Sequence, residues 1–295
     1  MGSSVSALET LMSSALFLRE AAQEILWPSR CVICDMPGSL LCDKCRRTLD
    51  YVDHLKACPI CGAPYGKHLC TECNQFILDW KHLDHFPLDG CASCVQLTPQ
   101  TRRIVTCYKD RNERRLAELI ASCMADCLPY SWCKDAALIP IPTRKAAKRN
   151  RGFDHLQLIA HTLSERTSLP LIEALAANTR KDQRRLGGQD RLLNMAGSFT
   201  FNPSRINELL PYSRLIIVDD VLTTGATLFT AAEVLRESLR SSPNATQETP
   251  PLHTKAIRDA SISPIQNTKE APTSSVGASS TNSYPLICGL TFARV

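Results

Sequence analysis

Residues 215–228 read LIIVDDVLTTGATL, and this stretch bears most directly on the fold. Its first four residues are apolar and branched, as in a buried parallel strand. Two acids follow, Asp219 and Asp220, then a small hydroxyl-rich turn, and an apolar periodic stretch from Leu228 indicates a helix. A strand, a tight turn and a helix N-terminus together form an anion site, because unpaired backbone N–H groups and the helix dipole favour negative charge.

The residues of the turn indicate which anion would bind. Gly225 lets the backbone approach a phosphate closely, and the threonines can cap the helix and donate to phosphate oxygens. The two carboxylates before the turn can accept hydrogen bonds from ribose hydroxyls. The alternative is an ordinary strand-to-helix turn with solvated acids. We predict a sugar-phosphate site made of the two acids and five turn residues, which are Thr223, Thr224, Gly225, Ala226 and Thr227.

The segment VDDVLTTGAT resembles the phosphoribosyl pyrophosphate (PRPP) motif of the type I phosphoribosyltransferases. The resemblance implies that Asp219 and Asp220 hold the ribose hydroxyls while the turn surrounds the 5′-phosphate. It also implies that PRPP binds with Mg²⁺ and that a nucleophile displaces pyrophosphate from the anomeric carbon. The acids would then favour the positive charge that develops on the ribose.

Cysteines form the second informative pattern. Most of the 15 cysteines fall into CxxC pairs, and a CxxC turn places two thiolates on one side for a tetrahedral zinc. Repeated CxxC favours metal over disulfides in a chain without a signal peptide. We predict two structural Zn²⁺ ions, and the sequence leaves open whether neighbouring pairs share a metal or interleave. The ligands are Cys31, Cys34, Cys42, Cys45, Cys58, Cys61, Cys70 and Cys73.

A fifth pair, Cys91 and Cys94, has no second CxxC nearby. Histidines 82 and 85 could complete a third metal site there, although such histidines are more often solvated or part of a core. The remaining cysteines are interpreted as small buried hydrophobic residues. They are Cys107, Cys123, Cys127, Cys133 and Cys288.

Two basic stretches accompany the predicted phosphate site. Residues 136–141, AALIPI, predict a short buried strand that ends at Pro142, and basic residues including Arg144 and Arg151 follow. A strand end of this kind offers backbone amides and cations to an anion. We expect Pro142 and Arg144 to contact PRPP and Arg151 to act on the pyrophosphate. Residues 180–191, RKDQRRLGGQDR, have the composition of a loop that could close over a polyphosphate.

Taken together, the chain resembles the ComF family, also called GntX-like, in which a double zinc ribbon precedes a phosphoribosyltransferase-like domain. The resemblance rests on the CxxC series, on IPIP at 139–142, on the Arg-Gly-Phe step at 151–153 and on DDVLTTGAT. The Gln, Arg and Asn at 189, 191 and 194 approximate a further family segment, and Tyr108-Lys109 reverses the family's Lys-Tyr step. Asp154-His155 departs from the usual Asn-Gln.

These patterns predict an α/β fold with a mainly parallel sheet flanked by helices, preceded by the zinc ribbons. The expected domains are an N-terminal amphipathic helix at 1–28, the ribbons at 29–80, a linker with helical segments at 81–135 and the phosphoribosyltransferase-like domain at 136–295. Residues 241–283 are expected to form a disordered insertion and 286–293 a final strand. No apolar run reaches the roughly 20 residues of a membrane span, so we expect a cytoplasmic protein.

Two functions remain open from the sequence. The first is a phosphoribosyltransferase with an unknown acceptor. The second is a non-catalytic PRPP- or nucleotide-binding module whose ribbons contact DNA or a protein, with a role in competence implied by the family resemblance. Within residues 31–73, five basic residues balance five acidic ones, so net charge does not favour DNA.

Overall fold

The computed structural model describes residues 28–81, 83–178, 197–242 and 284–295. Its strands are β1 (Gly90–Gln96), β2 (Ala136–Pro140), β3 (Leu175–Ala177), β4 (Phe199–Phe201), β5 (Arg214–Leu222) and β6 (Leu286–Arg294). Its α-helices are α1 (Asp43–Arg47), α2 (Gln75–Trp80), α3 (Pro99–Asp110), α4 (Leu116–Cys127), α5 (Lys145–Arg151), α6 (His155–Thr167), α7 (Ile206–Leu209) and α8 (Ala226–Arg240). Among the helices of these ranges, none has the length and apolar character to cross a membrane.

A four-stranded parallel sheet lies at the centre, in the order β1-β6-β5-β2. Because all four strands are parallel, their carboxyl ends meet at one edge, where ligands bind in open α/β sheets. β2 pairs with β5 in a register that opposes Pro140 to Val218. The loop after β2 and the acids of β5 are therefore neighbours in space.

Side chains of β5 alternate between two hydrophobic cores, one on each face of the sheet. Ile216 and Val218 belong to the core that α3, α4 and α6 cover, whereas Leu215 and Ile217 belong to the core that α8 covers. A strand buried on both faces reads as a continuous apolar run, which explains the sequence from 215 to 218. By the same alternation, Asp219 and Asp220 point toward opposite faces.

The chain around residue 51 covers the outer edge of β1. Tyr51 forms an antiparallel bridge with Val95, the Val52 N–H donates to the Cys94 carbonyl at 2.9 Å, and the Gln96 N–H donates to the Asp50 carbonyl at 2.8 Å. These bonds satisfy backbone groups that a free sheet edge would expose. The cysteine-rich segment is thus attached to the sheet directly.

The second cysteine-rich loop also packs closely on the sheet. A Cβ added at Gly62, whose φ is +71°, would lie 2.4 Å from the carbonyl oxygen of Cys91. Arg294, at the end of β6, is buried, and its guanidinium donates to the Cys61 carbonyl at 2.7 Å and pairs with Glu72. This arginine joins the last strand to the loop.

The predicted α/β fold class is confirmed, with differences in detail. β5 continues through both acids to Leu222, and α8 begins at Ala226, two residues before the expected start. The predicted final strand pairs with both β1 and β5 inside the sheet. The segment 81–135, expected to be a linker with helices, also contributes strand β1.

Other expectations concern residues outside those that the structure describes. These are the N-terminal helix up to residue 27, His82, the basic loop at 180–191 and nearly all of the insertion at 241–283. The proposed domain boundaries stay a prediction.

Candidate functional site

Both acids of β5 lie at the floor of the site and are almost fully buried, with 7% of Asp219 and 5% of Asp220 exposed. They occupy different environments because they face opposite sides of the strand. Asp219 accepts a hydrogen bond from the Asp220 backbone N–H at 2.9 Å. Burial, and then the charge of Asp220, raise the pKa of Asp219 to about 8.

Asp220 has two partners, one cation and one histidine. The Lys109 ammonium from α3 contacts its Oδ2, and Nε2 of His155 from α6 lies 3.3 Å from the same oxygen. Burial acts to raise the pKa of Asp220, but the hydrogen bond from His155 and the charge of Lys109 outweigh it, so the pKa lies below its usual range. The site therefore holds one ionised acid beside one that is largely protonated at neutral pH.

The turn after β5 is shaped for close backbone approach. Gly225 has φ +84°, and a Cβ there would lie 2.4 Å from the ring of Phe229. Gly225 is also the N-cap of α8 and provides no side-chain cap; the Thr224 hydroxyl accepts only a long 3.5 Å bond from the Ala226 N–H. The first amides of a 15-residue helix thus remain directed at the turn, which suits an anion.

The loop after β2 brings basic residues to the same edge of the sheet. Arg144 is the N-cap of α5, and a shallow, open depression of about 420 Å³ is lined by Lys145, Lys148, Arg149 and Gly152. Pro142 lies at the start of this loop and is half-buried. The loop after β2 therefore places basic side chains and backbone groups next to the acids of β5.

Arg151, which the sequence analysis placed at the pyrophosphate, lies close to the acid pair. Its Nη1 is 3.4 Å from Nδ1 of His155, and its Nη2 is 4.0 Å from Asp110. Because an arginine can only donate, this contact requires His155 to accept at Nδ1 and leaves Nε2–H to donate to Asp220. His155 thus connects Arg151 to Asp220.

Asp154 and Tyr108 hold this arrangement in place. Asp154 is the N-cap of α6: it accepts a hydrogen bond from the Gln157 N–H at 3.2 Å and another from the Thr143 hydroxyl at 2.7 Å. The buried Tyr108 hydroxyl donates to the His155 carbonyl at 2.5 Å, and its ring packs edge-on against Phe153. Asp154 and His155, which depart from the family pattern, therefore cap a helix and contact the buried Asp220, respectively.

The eight predicted zinc ligands form two compact groups. One contains Cys31, Cys34, Cys42 and Cys45, the other Cys58, Cys61, Cys70 and Cys73, and within each group the sulfur atoms lie within 4.8 Å of one another. Neighbouring CxxC pairs therefore share a site, which settles the alternative that the sequence left open.

Distances within the groups fit zinc. The sulfurs of Cys34 and Cys42 are 3.7 Å apart, those of Cys58 and Cys73 3.6 Å and those of Cys61 and Cys70 3.5 Å. A tetrahedral site with Zn–S bonds of about 2.3 Å has sulfurs about 3.8 Å apart. Four thiolates leave no open position, so each zinc would be structural.

Cys91 and Cys94 do not form a zinc knuckle. They lie in β1, where residues three apart face opposite sides of the sheet, and they belong to different cores. Within the described ranges, the two four-cysteine groups are the only clusters of metal-ligating side chains. Of the five cysteines interpreted as hydrophobic, Cys133 is half-buried and the others are buried.

Comparison with known proteins agrees with this arrangement. Residues 22–78 match the double zinc ribbon domain family. Competence protein F of Haemophilus influenzae is 26% identical over 195 residues, which cover 57% of this chain and 84% of that protein. Competence protein ComFC of Bacillus subtilis is 27% identical over 219 residues, which cover 73% of this chain and 85% of that protein.

The chain is a double-zinc-ribbon relative of the ComF proteins. The family prediction and the predicted ribbons are thereby confirmed. The DNA utilization protein YhgH of Salmonella typhi is also similar, at 25% identity over 70% of this chain and 91% of that protein. Among solved structures, orotate phosphoribosyltransferase from Aeropyrum pernix matches 49% of this chain and 60% of that chain at 21% identity, with a TM-score of 0.25.

Two residues of this ComF relative were not predicted as site residues. Lys109 appeared only as part of a reversed dipeptide, and His155 only as a departure from the family pattern. Both lie far along the chain from Asp220, and neither stands in a motif with it. Their position depends on how α3 and α6 pack over the sheet, which local sequence does not express.

Proposed function

We propose that this chain binds PRPP with Mg²⁺ at the carboxyl edge of its sheet and transfers the phosphoribosyl group to an acceptor, releasing pyrophosphate. The observation that carries the proposal is the buried acid pair of β5 directly before a glycine-capped helix N-terminus. In this assignment residues 223–227 surround the 5′-phosphate. Asp219 and Asp220 hold the ribose hydroxyls.

Charge at the site supports this assignment. A carboxylate has about four lone-pair positions, so Asp220 can accept from a ribose hydroxyl while it keeps His155. The protonated Asp219 can donate to one hydroxyl oxygen as well as accept. As positive charge develops on the ribose, proton loss from Asp219 would add a second negative charge beside it.

Pyrophosphate would bind on the basic side of the edge. Pro142 and Arg144 lie in the loop after β2, and Arg151 is connected to Asp220 through His155. Positive charge there favours the negative charge that grows on the leaving group. Arg151 has a second role in this arrangement, since it orients His155.

Mg²⁺ would bind at this site together with PRPP and not to the protein alone. The described residues form no cluster of three or more carboxylates or histidines that could hold it alone. Mg²⁺ prefers six oxygen ligands and keeps much of its water, so the phosphate and ribose oxygens of PRPP would supply most of its ligands.

The second candidate is a binding module without transfer, whose ribbons contact DNA or a protein of the competence machinery. Large apolar side chains on the surface of the ribbon segment favour this second function. Between 54% and 80% of the surface is exposed for Tyr65, Leu69, Phe76 and Trp80. Exposed aromatic residues suit stacking on bases or docking of a protein. The names of the relatives agree with a role in competence or DNA use.

An assay of pyrophosphate release separates the two functions. The full chain, loaded with zinc, is incubated with Mg²⁺-PRPP and a panel of nucleobases and amines. We expect acceptor-dependent pyrophosphate release that Arg151→Gln lowers by about 100-fold. Binding of PRPP without release for any acceptor would favour the second candidate.

A further inference from the structure

Outside the zinc sites, two buried thiols meet between β1 and α4. The Sγ atoms of Cys94 and Cys127 lie 2.8 Å apart, whereas the nearest sulfurs within the zinc groups are 3.5 to 3.7 Å apart. A disulfide bond is about 2.05 Å long, so the two atoms need to move by only about 1 Å to form one. From the sequence, Cys127 was interpreted as a small buried hydrophobic residue, and Cys94 as one half of a pair with Cys91 that could belong to a third metal site.

This thiol pair lies near a histidine at the surface. His54, an exposed residue in the segment between the two ribbons, lies near Cys127 and lowers the pKa of its thiol. Cys94 is 2% exposed and Cys127 8%. Cys127 therefore lies just below the surface, on the side where His54 is exposed.

The two sulfurs differ in acidity. The hydrogen bond with Cys94, and then His54, lower the pKa of Cys127 to about 7 against the effect of burial. Burial raises the pKa of Cys94 well above its ordinary value. One thiolate beside one thiol is the arrangement of an attacking cysteine and a resolving cysteine.

A metal site does not explain this arrangement. His54, Cys94 and Cys127 are not among the ligand clusters found in the described part of the chain. Simple core packing does not explain it either, because it does not require two sulfurs to lie 2.8 Å apart.

We propose that Cys94 and Cys127 form a reversible disulfide when the chain meets hydrogen peroxide. The Cys127 thiolate attacks one peroxide oxygen and breaks the O–O bond, which gives a sulfenic acid and a hydroxide that takes up a proton. Cys94 then attacks the sulfenic sulfur, the S–S bond forms, and the hydroxyl leaves as water with the proton of Cys94. Two thiols are oxidised, one peroxide is reduced to two waters, and a dithiol restores the reduced pair.

Such a bond would join α4 to the strand that carries the ribbon contact, because the Cys94 carbonyl accepts the Val52 N–H. The proposal does not depend on PRPP binding. It concerns a pair of residues on the opposite side of β1 from Cys91.

Peptide mapping of the full chain tests the proposal. Zinc-loaded, reduced protein is treated with hydrogen peroxide, free thiols are blocked, and tryptic peptides are sequenced by tandem mass spectrometry. We expect one linked species that joins residues 82–102 to residues 116–134, lighter by two hydrogen atoms, with the bond assigned to Cys94 and Cys127 and removed by dithiothreitol.

Matched variants make the assignment specific. Cys91→Ser and Cys123→Ser should keep the linked species, whereas Cys94→Ser should lose it; circular dichroism checks that each variant is folded. His54→Gln should slow formation of the bond about three- to tenfold at pH 7, since less Cys127 is thiolate, and His85→Gln should leave the rate unchanged. Absence of the Cys94–Cys127 species in the wild type while zinc is retained, or linkage through Cys91 or Cys123 to the same extent, would overturn the proposal.

Discussion

The two neighbouring acids of β5 should respond in opposite ways to loss of charge. Asp219 is buried without a cationic partner of its own, and its pKa rises from 3.8 to about 8, whereas Asp220 is paired with Lys109 and His155. We expect Asp219→Asn to stabilise the free protein and Asp220→Asn to destabilise it. Asparagine keeps the Oδ1 that accepts the Asp220 backbone N–H.

The magnitude for Asp219 follows from its pKa. In the unfolded chain the group is ionised above about pH 4, whereas in the folded chain it stays protonated up to about pH 8, so folding takes up a proton in this window. The contribution of Asp219 to the free energy of unfolding of the wild type is therefore fully present below pH 4. It is lost as the pH rises through 8. At about 1.4 kcal/mol for each tenfold change, we expect Asp219→Asn to gain about 1.5 kcal/mol over wild type at pH 5 and about 5 kcal/mol at pH 8.5.

The magnitude for Asp220 follows from the partners that its loss would leave unpaired. Lys109 would keep its charge without its anion, and the Nε2–H of His155 would lose its charged acceptor; breaking such a pair costs about 3 kcal/mol. Urea unfolding of wild type and both variants at pH 5, 7 and 8.5 measures these differences. The reasoning would be refuted if both variants shifted stability in the same direction, or if the effect of Asp219→Asn did not grow with pH.

Three further predictions concern the zinc groups, Lys109 and Arg294. Metal analysis of protein kept reduced should give about two zinc ions per chain, and a value near zero would remove the ribbon model. Lys109→Met should lower the affinity for Mg²⁺-PRPP about tenfold by freeing the orientation of Asp220, while Lys134→Met, at an exposed lysine away from the acids, should leave it unchanged. Arg294→Gln should lower the free energy of unfolding by about 2–3 kcal/mol, because it leaves the Cys61 carbonyl and Glu72 without their buried donor; a change below about 0.5 kcal/mol would contradict this role.

The parts of the fold that sequence could predict are those in which local pattern and tertiary role coincide. The strand at 215–218, the glycine turn and the helix after it lie within one short segment, and the CxxC pairs carry their chemistry in their spacing. β1 was missed because GCASCVQ is rich in small residues and its cysteines suggested a metal knuckle instead of a strand.

The partners of Asp220 could not be predicted for a different reason. Lys109 comes from α3 and His155 from α6, and only the packing of both helices over one face of β5 brings them to the acid. The hydrophobic periodicity of a helix indicates that it packs, but it does not indicate which residue at its end reaches across the sheet. Similarly, the Arg294 contact joins the end of the last strand to a loop more than 200 residues earlier.

Calorimetric titration of the zinc-loaded chain with Mg²⁺-PRPP tests the central claim most directly. The account predicts saturable binding of one PRPP per chain in the wild type and loss of at least about tenfold in affinity for both Asp219→Asn and Asp220→Asn, even though one variant is more stable and the other less. Binding of equal strength in the wild type and in both variants, or no binding to the folded wild type, would contradict it.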